Sequence, residues 1–540
     1  MKRWAQTELK GKRITNANSR FDNHMMYQWG VDLEAQGCLW SDVQHYAALL
    51  DEYRRNYSLD ALGKDYLDEG KIDGLDKTRM AHYHASEVSD YACQDVALVH
   101  GLKKKMLPMI EEQGLEKVAH LESEVIYPVC EMERNAALID REALREAVQR
   151  SEVMLQETLF DVSREVGFDM NPDKQADWAQ LFDHFKLPVP GRTTKGNPSF
   201  TDALLEGIDN ETVQLARRAG KLASIRSKFL VPYNKAVKDD CKLRFALHQL
   251  RGDRYGTARG RFSMSGSDKV TGKFGANLQQ VMRVNSQRQA FGYKHNDDSH
   301  DKDIFLIRSL FVPGSGSYLS ADAQAIEYRL AAHFADSDKL TKAYGADIEQ
   351  LKHGRLEGPW VDFHGVVGGF VRPYKDLSRN VIKNLNFCKI YGGGKATVAR
   401  TLGMKREESD KIVEVYDRTF PEFAALLKKA SKLAKQRGFV KTILGRRARI
   451  KEDRYAHAAL NYVIQGSAAD IMKQKLVELH KARHETGFLM RQTVHDEVDG
   501  DAMNEETAAK VRLILNRQSF NLRVPIVWEV ETGRSWADAH

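Results

Sequence analysis

The chain has 540 residues, 42% of them apolar, which is enough for several packed domains and too much for one core. Lysine and arginine exceed aspartate and glutamate by 82 to 75, and a net charge of +7 favours a polyanionic partner only if it is concentrated on one surface. The five cysteines form no CxxC pair, which argues against a disulfide framework and a zinc cluster. Because we find no signal peptide and no apolar run of about 20 residues, we expect a cytoplasmic protein without membrane contact.

The first 118 residues are rich in charge and in short helical patterns. Here GKRITNAN predicts a strand, and DVQHYAALLDEYRRN (residues 42–56) predicts an amphipathic helix. From residue 119 onward the helical patterns become longer, and REALREAVQRSEVMLQETLFDVSREV contains neither glycine nor proline. KLPVPGRTTKGNPSF predicts a loop between helices. The pattern therefore predicts an N-terminal domain followed by an elongated helical region.

The composition changes near residue 250. The stretch RGDRYGTARGRFSMSGSDKVTGKFGANLQQ is dense in Gly, Ser, Arg and Lys, which suits a surface strand or loop that grips a polyanion. SYLSADAQAIEYRLAAHF then predicts a strand that runs into a helix, and residues 376–391 and 461–483 predict two further helices. A strand pair at about 488–501 and a last strand, VPIVWEVE, complete the predicted elements.

Two groups of carboxylates stand out. SYLSAD places Asp322 at a strand end, although an aspartate there is often only a helix cap. In LMRQTVHDEVDGD, strict alternation places Arg491 and Gln492 on opposite faces, and a turn would lift Asp496 and Glu497 to an exposed tip. Adjacent carboxylates repel unless a cation lies between them, and hard oxygen ligands suit magnesium. The alternative for this turn is a solvated acidic loop.

A basic and aromatic stripe follows in RNVIKNLNFCKIYGGG. Arg379, Lys383, Phe387 and Tyr391 are four residues apart and share one helix face. The two cations suit a triphosphate and the two aromatic rings suit a base. The alternative is a surface face whose long cationic side chains lie over core aromatics.

Taken together and in this order, DAQAIEYR, RNVIKNLNFCKIYG and VHDE resemble the first palm motif, the fingers helix and the second palm motif of family A DNA polymerases. This group contains bacterial DNA polymerase I and bacteriophage replicative enzymes. The resemblance implies an α/β (α+β) fold, a right-hand polymerase with palm, fingers and thumb, preceded by a partial RNase H-like exonuclease domain. The implied boundaries are residues 1–118 for the exonuclease-like domain and 119–540 for the polymerase, with the thumb at about 140–240, the palm at about 119–139, 241–340 and 485–540, and the fingers at about 341–484.

The resemblance also implies the reaction, which is template-dependent addition of deoxynucleotides to a primer 3′-hydroxyl. Asp322 and Asp496, with the backbone carbonyl of Ala323, would hold two Mg²⁺ ions. Glu497 would tune this metal site, and Lys383 would protonate the leaving pyrophosphate. Primer-template DNA and deoxynucleoside triphosphates are the implied partners.

Further roles carry over by motif. Lys383, Arg379 and His364 would contact the triphosphate, Phe387 and Tyr391 would form a wall against its sugar and base, and Glu327 would fill the space of a ribose 2′-hydroxyl. The implied DNA contacts are Arg261, Asn277, Gln279, Asn461, Gln465 and His495. His457 stands at a position that is often histidine in phage members, so we expect a role in phage DNA replication in the cytoplasm of an infected bacterium.

The N-terminal region resembles part of a proofreading 3′-5′ exonuclease. NANSRFDNHMM and YACQD match its second and third motifs and give Asn18, Asp22, Tyr91 and Asp95 as a residual motif. That chemistry also needs an Asp-x-Glu pair on an earlier strand, and Glu8 is the sole acid before Asp22. We therefore expect little exonuclease activity from this chain alone, with a separate exonuclease fragment or a processivity factor as a further partner.

Two other functions remain open from the sequence. A single-subunit RNA polymerase shares the palm aspartates and the cations of the fingers, but Glu327 argues against it because ribonucleotides need that space. A catalytically silent DNA-binding protein would use only the basic stretch near residue 250. It would not need Asp322, Asp496 and Lys383 together.

Overall fold

The computed structural model of the chain describes residues 2–72, 74–193, 195–251, 259–266, 275–294, 297–373 and 375–539. The chain groups into two compact units, each discontinuous in sequence. The first unit comprises residues 1–134, 247–263 and 320–531, and the second comprises residues 135–246, 264–319 and 532–540. None of the helices in the described ranges combines the length and apolarity needed to cross a bilayer.

The N-terminal part of the first unit contains a β-α-β arrangement. Its elements are α1 (Lys2–Glu8), β1 (Arg13–Asn16), α2 (Ser19–Gln28), β2 (Leu39–Asp42), α3 (Val43–Leu50), α4 (Leu59–Leu67), α5 (Ala85–Glu112), α6 (Glu116–Glu124) and α7 (Ile126–Asn135). Strands β1 and β2 pair in parallel, with α2 as the crossover. The predicted strand is confirmed as β1. The helix predicted over residues 42–56 is shorter, because the Asp51 side chain accepts a hydrogen bond from the Tyr53 amide and turns the chain.

The second unit is mainly helical. Its elements are β3 (Ala137–Leu138), α8 (Arg141–Val166), α9 (Gln175–His184), α10 (Asp202–Leu205), α11 (Glu211–Ile225), α12 (Val231–Ala236), β4 (Lys242–Leu243), β5 (Ala246–His248), β6 (Ser263–Ser265) and α13 (Val284–Ala290). Strands β5 and β6 each cross a sequence boundary of this unit. The predicted long helix is confirmed as α8, which Asp140 caps and Gly167 ends at a φ of 75°. Val162, Trp178 and Phe182 are among the residues of the core beside α8 and α9.

The rest of the first unit carries the motifs named above. Its elements are β7 (Ser317–Ala323), α14 (Ile326–Ala335), α15 (Asp338–Ala343), α16 (Gly345–Lys352), α17 (Phe363–Val371), α18 (Arg379–Ile390), α19 (Lys395–Leu402), α20 (Arg406–Thr419), α21 (Pro421–Arg437), β8 (Phe439–Lys441), β9 (Arg447–Arg449), α22 (Ala459–Lys481), α23 (Arg483–Thr486), β10 (Leu489–Val494), β11 (Glu497–Ala502), α24 (Glu505–Asn516) and β12 (Trp528–Gly533). Here β10, β11, β7 and β12 form a four-stranded sheet in that order.

Most of the predicted elements in this region are confirmed. The two helices appear as α18 and α22, the strand pair as β10 and β11, and SYLSADAQAIEYRLAAHF as β7 followed by α14. The last strand begins at Trp528, four residues later than VPIVWEVE suggested. Of the basic stretch near residue 250, residues 252–258 and 267–274 lie outside the described residues, and β6 lies within the remainder.

Candidate active site

The end of β7 meets the turn between β10 and β11. The Ala323 amide donates a hydrogen bond of 3.0 Å to the Asp496 carbonyl oxygen, and β7 lies beside β11 in the sheet. Asp322 and Asp496 are both half-buried. The structure therefore brings together the two aspartates that the sequence indicated, from positions 174 residues apart.

The turn itself is two residues long. Val494 pairs with Glu497, so His495 and Asp496 form the whole connection between β10 and β11. His495 has a φ of 58°, a left-handed conformation that two-residue hairpins require and that usually selects glycine or asparagine. The His495 side chain is exposed. A tight turn with a non-glycine residue at positive φ fixes Asp496 at a defined place beside β7.

The prediction for the faces of this hairpin is wrong in two respects. A β-bulge between Met490 and Gln492 shifts the register, so strict alternation does not hold across Arg491. Glu497 is not at an exposed tip, since it is 1% exposed and its Oε1 accepts a hydrogen bond of 3.0 Å from the Ser320 hydroxyl. Every residue of β11 is buried, which a hairpin with one solvated face would not show.

The other acidic residues of the hairpin have partners within it. Arg491 donates two hydrogen bonds to Asp501, of 2.6 and 2.5 Å, and the side-chain amide of Gln492 donates one of 3.0 Å to the Asp499 carboxylate. A bidentate pair between buried groups compensates the desolvation of both. The protein itself therefore accommodates much of the acidity of QTVHDEVDGD, while Asp496 stays at the turn.

Arg329 fixes the chain just after Asp322. Its side chain is fully buried, and it donates to the Gln324 carbonyl (2.9 Å), the Pro525 carbonyl (3.1 Å) and Asp347 Oδ2 (2.7 Å). Between β7 and α14, Ala325 has a φ of 47°, which is strained for an alanine. The positive φ of Ala325 and the hydrogen bonds from Arg329 therefore fix the conformation of the backbone that follows Asp322.

Helix α18 presents the predicted stripe. Ser378 caps the helix, and Arg379 donates to both carboxylate oxygens of Asp362, at 2.8 and 3.1 Å. Burial raises the pKa of Asp362 and the Arg379 guanidinium lowers it, with a net decrease. Phe387 and Tyr391 stack with their ring centroids 6.3 Å apart. The stripe therefore begins with an anchored cation and ends in an aromatic wall.

His364 is buried behind this stripe. Burial lowers the pKa of His364 to about 4, and the charges of Arg379 and Lys383 add to the decrease. The Asn386 amide donates a hydrogen bond of 2.8 Å to Nδ1, so the neutral ring carries its proton on Nε2. His364 is therefore an uncharged hydrogen-bond donor near neutral pH.

Glu327 lies at the start of α14 and accepts two hydrogen bonds. The donors are the Tyr391 hydroxyl and Arg261 Nη2, the latter at 2.6 Å. Burial raises the pKa of Tyr391, and the neighbouring Glu327 carboxylate raises it further. Gln465 of α22 reaches the same hydroxyl at 3.5 Å. Four of the predicted residues therefore form one connected group.

The structure does not join all the predicted residues to this group. Asn277 and Gln279 belong to the second unit, where the Asn277 side chain accepts a hydrogen bond from the Gln279 amide. Asn461 is half-buried on α22, one helical turn before Gln465. Sequence reasoning missed Asp362, Asn386 and Asp347 as partners. A signal existed for Asp362, since an aspartate directly before a helix is a typical cap.

Comparison with known proteins settles the family. Residues 141–538 match the model of DNA polymerase family A. The chain belongs to DNA polymerase family A.

Relatives of this polymerase occur in phages and bacteria. It is 26% identical to DNA polymerase DpoZ of Salmonella phage PMBT28, over 96% of this chain and 87% of the relative. It is 25% identical to DNA polymerase I of Pseudomonas aeruginosa, over 97% of this chain and 56% of the relative. Its fold is similar to that of the POL domain of Pol1 from M. smegmatis, solved in complex with DNA primer-template and dNTP, with a TM-score of 0.76, 22% identity and coverage of 97% of this chain and 86% of that chain.

Family membership confirms the enzyme class and the fold class expected from the motifs. The family A polymerase is a DNA-directed DNA polymerase, hence a nucleotidyltransferase, and it uses divalent metal. The RNA polymerase and the silent DNA-binding protein are therefore set aside. The carboxylate donors at Asp322 and Asp496 are hard oxygen ligands and fit a divalent cation.

Two residues of the predicted exonuclease motif, Asp22 and Asp95, line a second cleft. Asn18 begins α2 at a φ of 72°. Burial raises the pKa of Asp22 to about 6, a hydrogen bond from Asn16 opposes the shift and the charge of Asp42 adds to it. Lys71 forms an ion pair of 2.6 Å with Asp95, and its Nζ lies 4.9 Å from the centre of the Tyr91 ring.

A buried group of possible metal ligands also occurs near α2 and α7. His24, Cys130 and Glu133 lie within metal-binding distance of one another. However, Glu133 already accepts hydrogen bonds from Arg20, His24 and the Leu247 amide. This cluster is a satisfied polar network rather than a site that needs an ion.

Proposed function

We propose that this polymerase extends a DNA primer on a DNA template with deoxynucleotides by two-metal phosphoryl transfer, in phage DNA replication within an infected bacterial cell. The hydrogen bond between the Ala323 amide and the Asp496 carbonyl is the observation that carries the proposal, because it joins two aspartates from distant segments. The phage relatives support the biological setting, and the complex of the similar Pol1 domain supports primer-template DNA and dNTP as partners.

Asp322, Asp496 and the Ala323 carbonyl would hold two Mg²⁺ ions. Bound there, the ions would activate the primer hydroxyl and stabilise the charge of the transferred phosphoryl group. Glu497 would tune the site from its buried position beside Ser320. Arg329 would keep the strand end in place.

Three residues would orient the triphosphate. Arg379, held by Asp362, offers its remaining N–H groups to the phosphates, and Lys383 follows one helical turn later as a point charge. Lys383 would also donate a proton to the pyrophosphate. His364 would donate a neutral hydrogen bond through Nε2, which the low pKa of the ring makes independent of pH near neutrality.

The nucleotide wall and the sugar gate would share one network. Phe387 and Tyr391 would pack against the incoming base and sugar. Glu327 would occupy the space of a 2′-hydroxyl, held there by Tyr391 and Arg261. Since both oxygens of Glu327 are engaged, the carboxylate is preorganised to exclude a ribonucleotide.

Six residues are proposed as DNA contacts. We propose Arg261, Asn461, Gln465 and His495 of the first unit as contacts to primer and template, with Asn277 and Gln279 of the second unit. His495 is exposed at the turn next to Asp496, which suits a contact to the primer end.

Primer extension on a defined DNA template with Mg²⁺ tests this proposal. We expect extension with deoxynucleotides and not with ribonucleotides. Asp496→Asn should lower the rate by at least about 1,000-fold, because the metal ligand is lost, whereas Glu531→Gln, an exposed carboxylate on β12, should leave it unchanged. Glu327→Ala should admit ribonucleotides. An Asp496→Asn variant as active as wild type would refute the assignment.

We also propose that this chain alone removes mismatched 3′ ends slowly or not at all. Lys71 already neutralises Asp95, one of the carboxylates that a metal would need. The measurement is release of a labelled, mismatched 3′ nucleotide without dNTP, and Asp22→Asn is the comparison. Rapid release that Asp22→Asn abolishes would contradict the proposal.

A further inference from the structure

A strongly basic segment lies outside the proposed active site. Between Glu422 and Glu452 the sequence contains ten lysines and arginines and no aspartate or glutamate. This one segment carries more positive charge than the whole chain has in net terms, which is +7. The segment that forms α21, β8 and β9 is therefore strongly basic, as a polyanion-binding surface requires.

Six of these cations, five on α21 and one on β8, are exposed, and we call them together the α21 basic face, although on the helix they extend around about 200° of its circumference. They are Lys428, Lys429, Lys432, Lys435, Arg437 and Lys441. Within the described residues, none of the six forms an ion pair, whereas Arg446 and Arg449 of the same segment are paired with Glu122, Asp470 and Glu52. Single unpaired lysines are common on protein surfaces, so the observation that indicates a binding surface is that six such cations lie together in one short segment.

The grouping is unfavourable for the helix itself. Lys428 and Lys432 are four residues apart, and Lys429 and Lys435 each lie three residues from Lys432, which puts like charges side by side. Each such pair destabilises a helix by about 0.2–0.5 kcal/mol. Lys435 and Arg437 benefit from the helix C-terminus. The remaining repulsion is one that a bound polyanion would relieve.

A groove with an apolar floor runs beside this face. Lys429, Arg437 and Lys441 line it together with apolar residues of α14, α21, β8 and α22, namely Phe334, Leu426, Ala430, Leu433, Phe439, Val440, Leu460 and Val463. The Phe439 ring holds two cations near the groove, with Arg447 Cζ 4.4 Å and Lys441 Nζ 6.0 Å from its centre. Cations above an apolar and aromatic floor form the combination that binds single-stranded nucleic acid, with phosphates on the cations and bases on the floor.

The groove is distinct from the proposed catalytic face. On α22, Leu460 and Val463 line the groove, while Asn461 and Gln465 lie about 150° around the helix axis. A nucleic acid in the groove would therefore not compete with the primer terminus.

We propose that the α21 basic face and its groove bind single-stranded DNA outside the active site. Two sources share this chemistry during synthesis, the unpaired template ahead of the primer and a strand displaced from the template. This inference goes beyond the proposed function, and it is tested first without catalysis.

The first test measures binding of a labelled oligothymidylate of about 20 nucleotides by fluorescence anisotropy over a range of NaCl concentrations. The variant is Lys429→Gln/Arg437→Gln/Lys441→Gln, and the matched control removes the same charge elsewhere, Lys10→Gln/Lys104→Gln/Lys105→Gln, at exposed lysines. We expect the groove variant to bind at least about 10-fold more weakly at low salt, with the slope of log K against log[NaCl] reduced by about 2, since each phosphate contact contributes about 0.7. Equal affinity and slope in the groove variant and the control would overturn the proposal. Circular dichroism of both variants excludes misfolding.

The second test identifies the strand. Affinity of wild type and groove variant is compared on three primer-templates, with a template overhang of about two nucleotides, with one of about 15, and with a short gap followed by a displaced flap of about 15. A loss confined to the long overhang assigns the template, and a loss confined to the flap assigns the displaced strand. No loss on either long substrate overturns the proposal. Primer extension on the short overhang is measured in parallel. If the proposed polymerase function is wrong, wild type will not extend the primer but will still bind oligothymidylate.

Discussion

The buried pair of Arg329 and Asp347 gives a prediction that the structure makes quantitative. Both side chains are 0% exposed, and Arg329 Nη2 lies 2.7 Å from Asp347 Oδ2. In Arg329→Met, Asp347 keeps one donor, the Val361 amide at 2.9 Å, but loses its counter-charge. The Gln324 and Pro525 carbonyls lose donors in addition. Removal of one partner from a buried pair costs about 3–5 kcal/mol, and the extra unsatisfied carbonyls place this variant at the upper end, about 4–5 kcal/mol.

Two further variants separate the buried charge from other effects. Arg329→Met/Asp347→Leu removes both charges, so it should recover at least about 2 kcal/mol of the loss. Arg523→Met breaks an exposed pair with Asp336 at the end of the same helix, and should cost at most about 1 kcal/mol. Arg329→Met and Arg523→Met therefore share the type of substitution and differ in the burial of the broken pair.

The assay is guanidinium unfolding followed by circular dichroism, with primer extension measured on the same samples. Because Arg329 holds the Gln324 carbonyl two residues after Asp322, Arg329→Lys should also extend a primer more slowly at a temperature where it remains folded. A loss for Arg329→Met as small as that for Arg523→Met would refute the reasoning, as would a double variant less stable than the single one.

Three further predictions concern titratable groups. The pKa of Asp22 is about 6 in the folded chain against about 3.9 unfolded, so wild type should lose about 2 kcal/mol of stability as pH rises from about 4 to 6, and Asp22→Asn should remove this loss in thermal unfolding. The pKa of His364 is lowered from 6.5 to about 4, so the free energy of unfolding of wild type should fall as pH decreases through this interval. His364→Gln should show a smaller decrease, and the same pH dependence in wild type and variant would contradict this prediction. Glu122→Gln removes a carboxylate that pairs with the buried Lys473 and Arg446, so it should lower the free energy of unfolding by about 3–5 kcal/mol. The measurement is the midpoint of denaturant unfolding, and a loss below about 1 kcal/mol would contradict the importance of the buried charge.

Local patterns in the sequence predicted the elements that carry local signals. Helix α18 has a serine cap and helical spacing, and the tight turn at His495 and Asp496 lies between two segments that the sequence predicted as paired strands. The proximity of Asp322 and Asp496 came from the resemblance to a family, because a contact between residues so distant in sequence leaves no local trace. The same limit explains why the partner of Arg379 was missed: Asp362 caps a different helix, and only the packing of α17 on α18 brings the two together.

The acidic hairpin shows a second limit, which lies in register. A single extra residue at Arg491 is invisible in an alternating sequence, yet it decides which side chains face each other. Once the bulge is known, the partners follow: Gln492 stands opposite Asp499, and Arg491 reaches Asp501. The acidity of this segment therefore has two separate physical explanations. Asp501 forms an ion pair with Arg491, and Asp499 accepts a hydrogen bond from the neutral side-chain amide of Gln492. We propose that Asp496, placed at the turn beside the end of β7, serves the metal-dependent reaction.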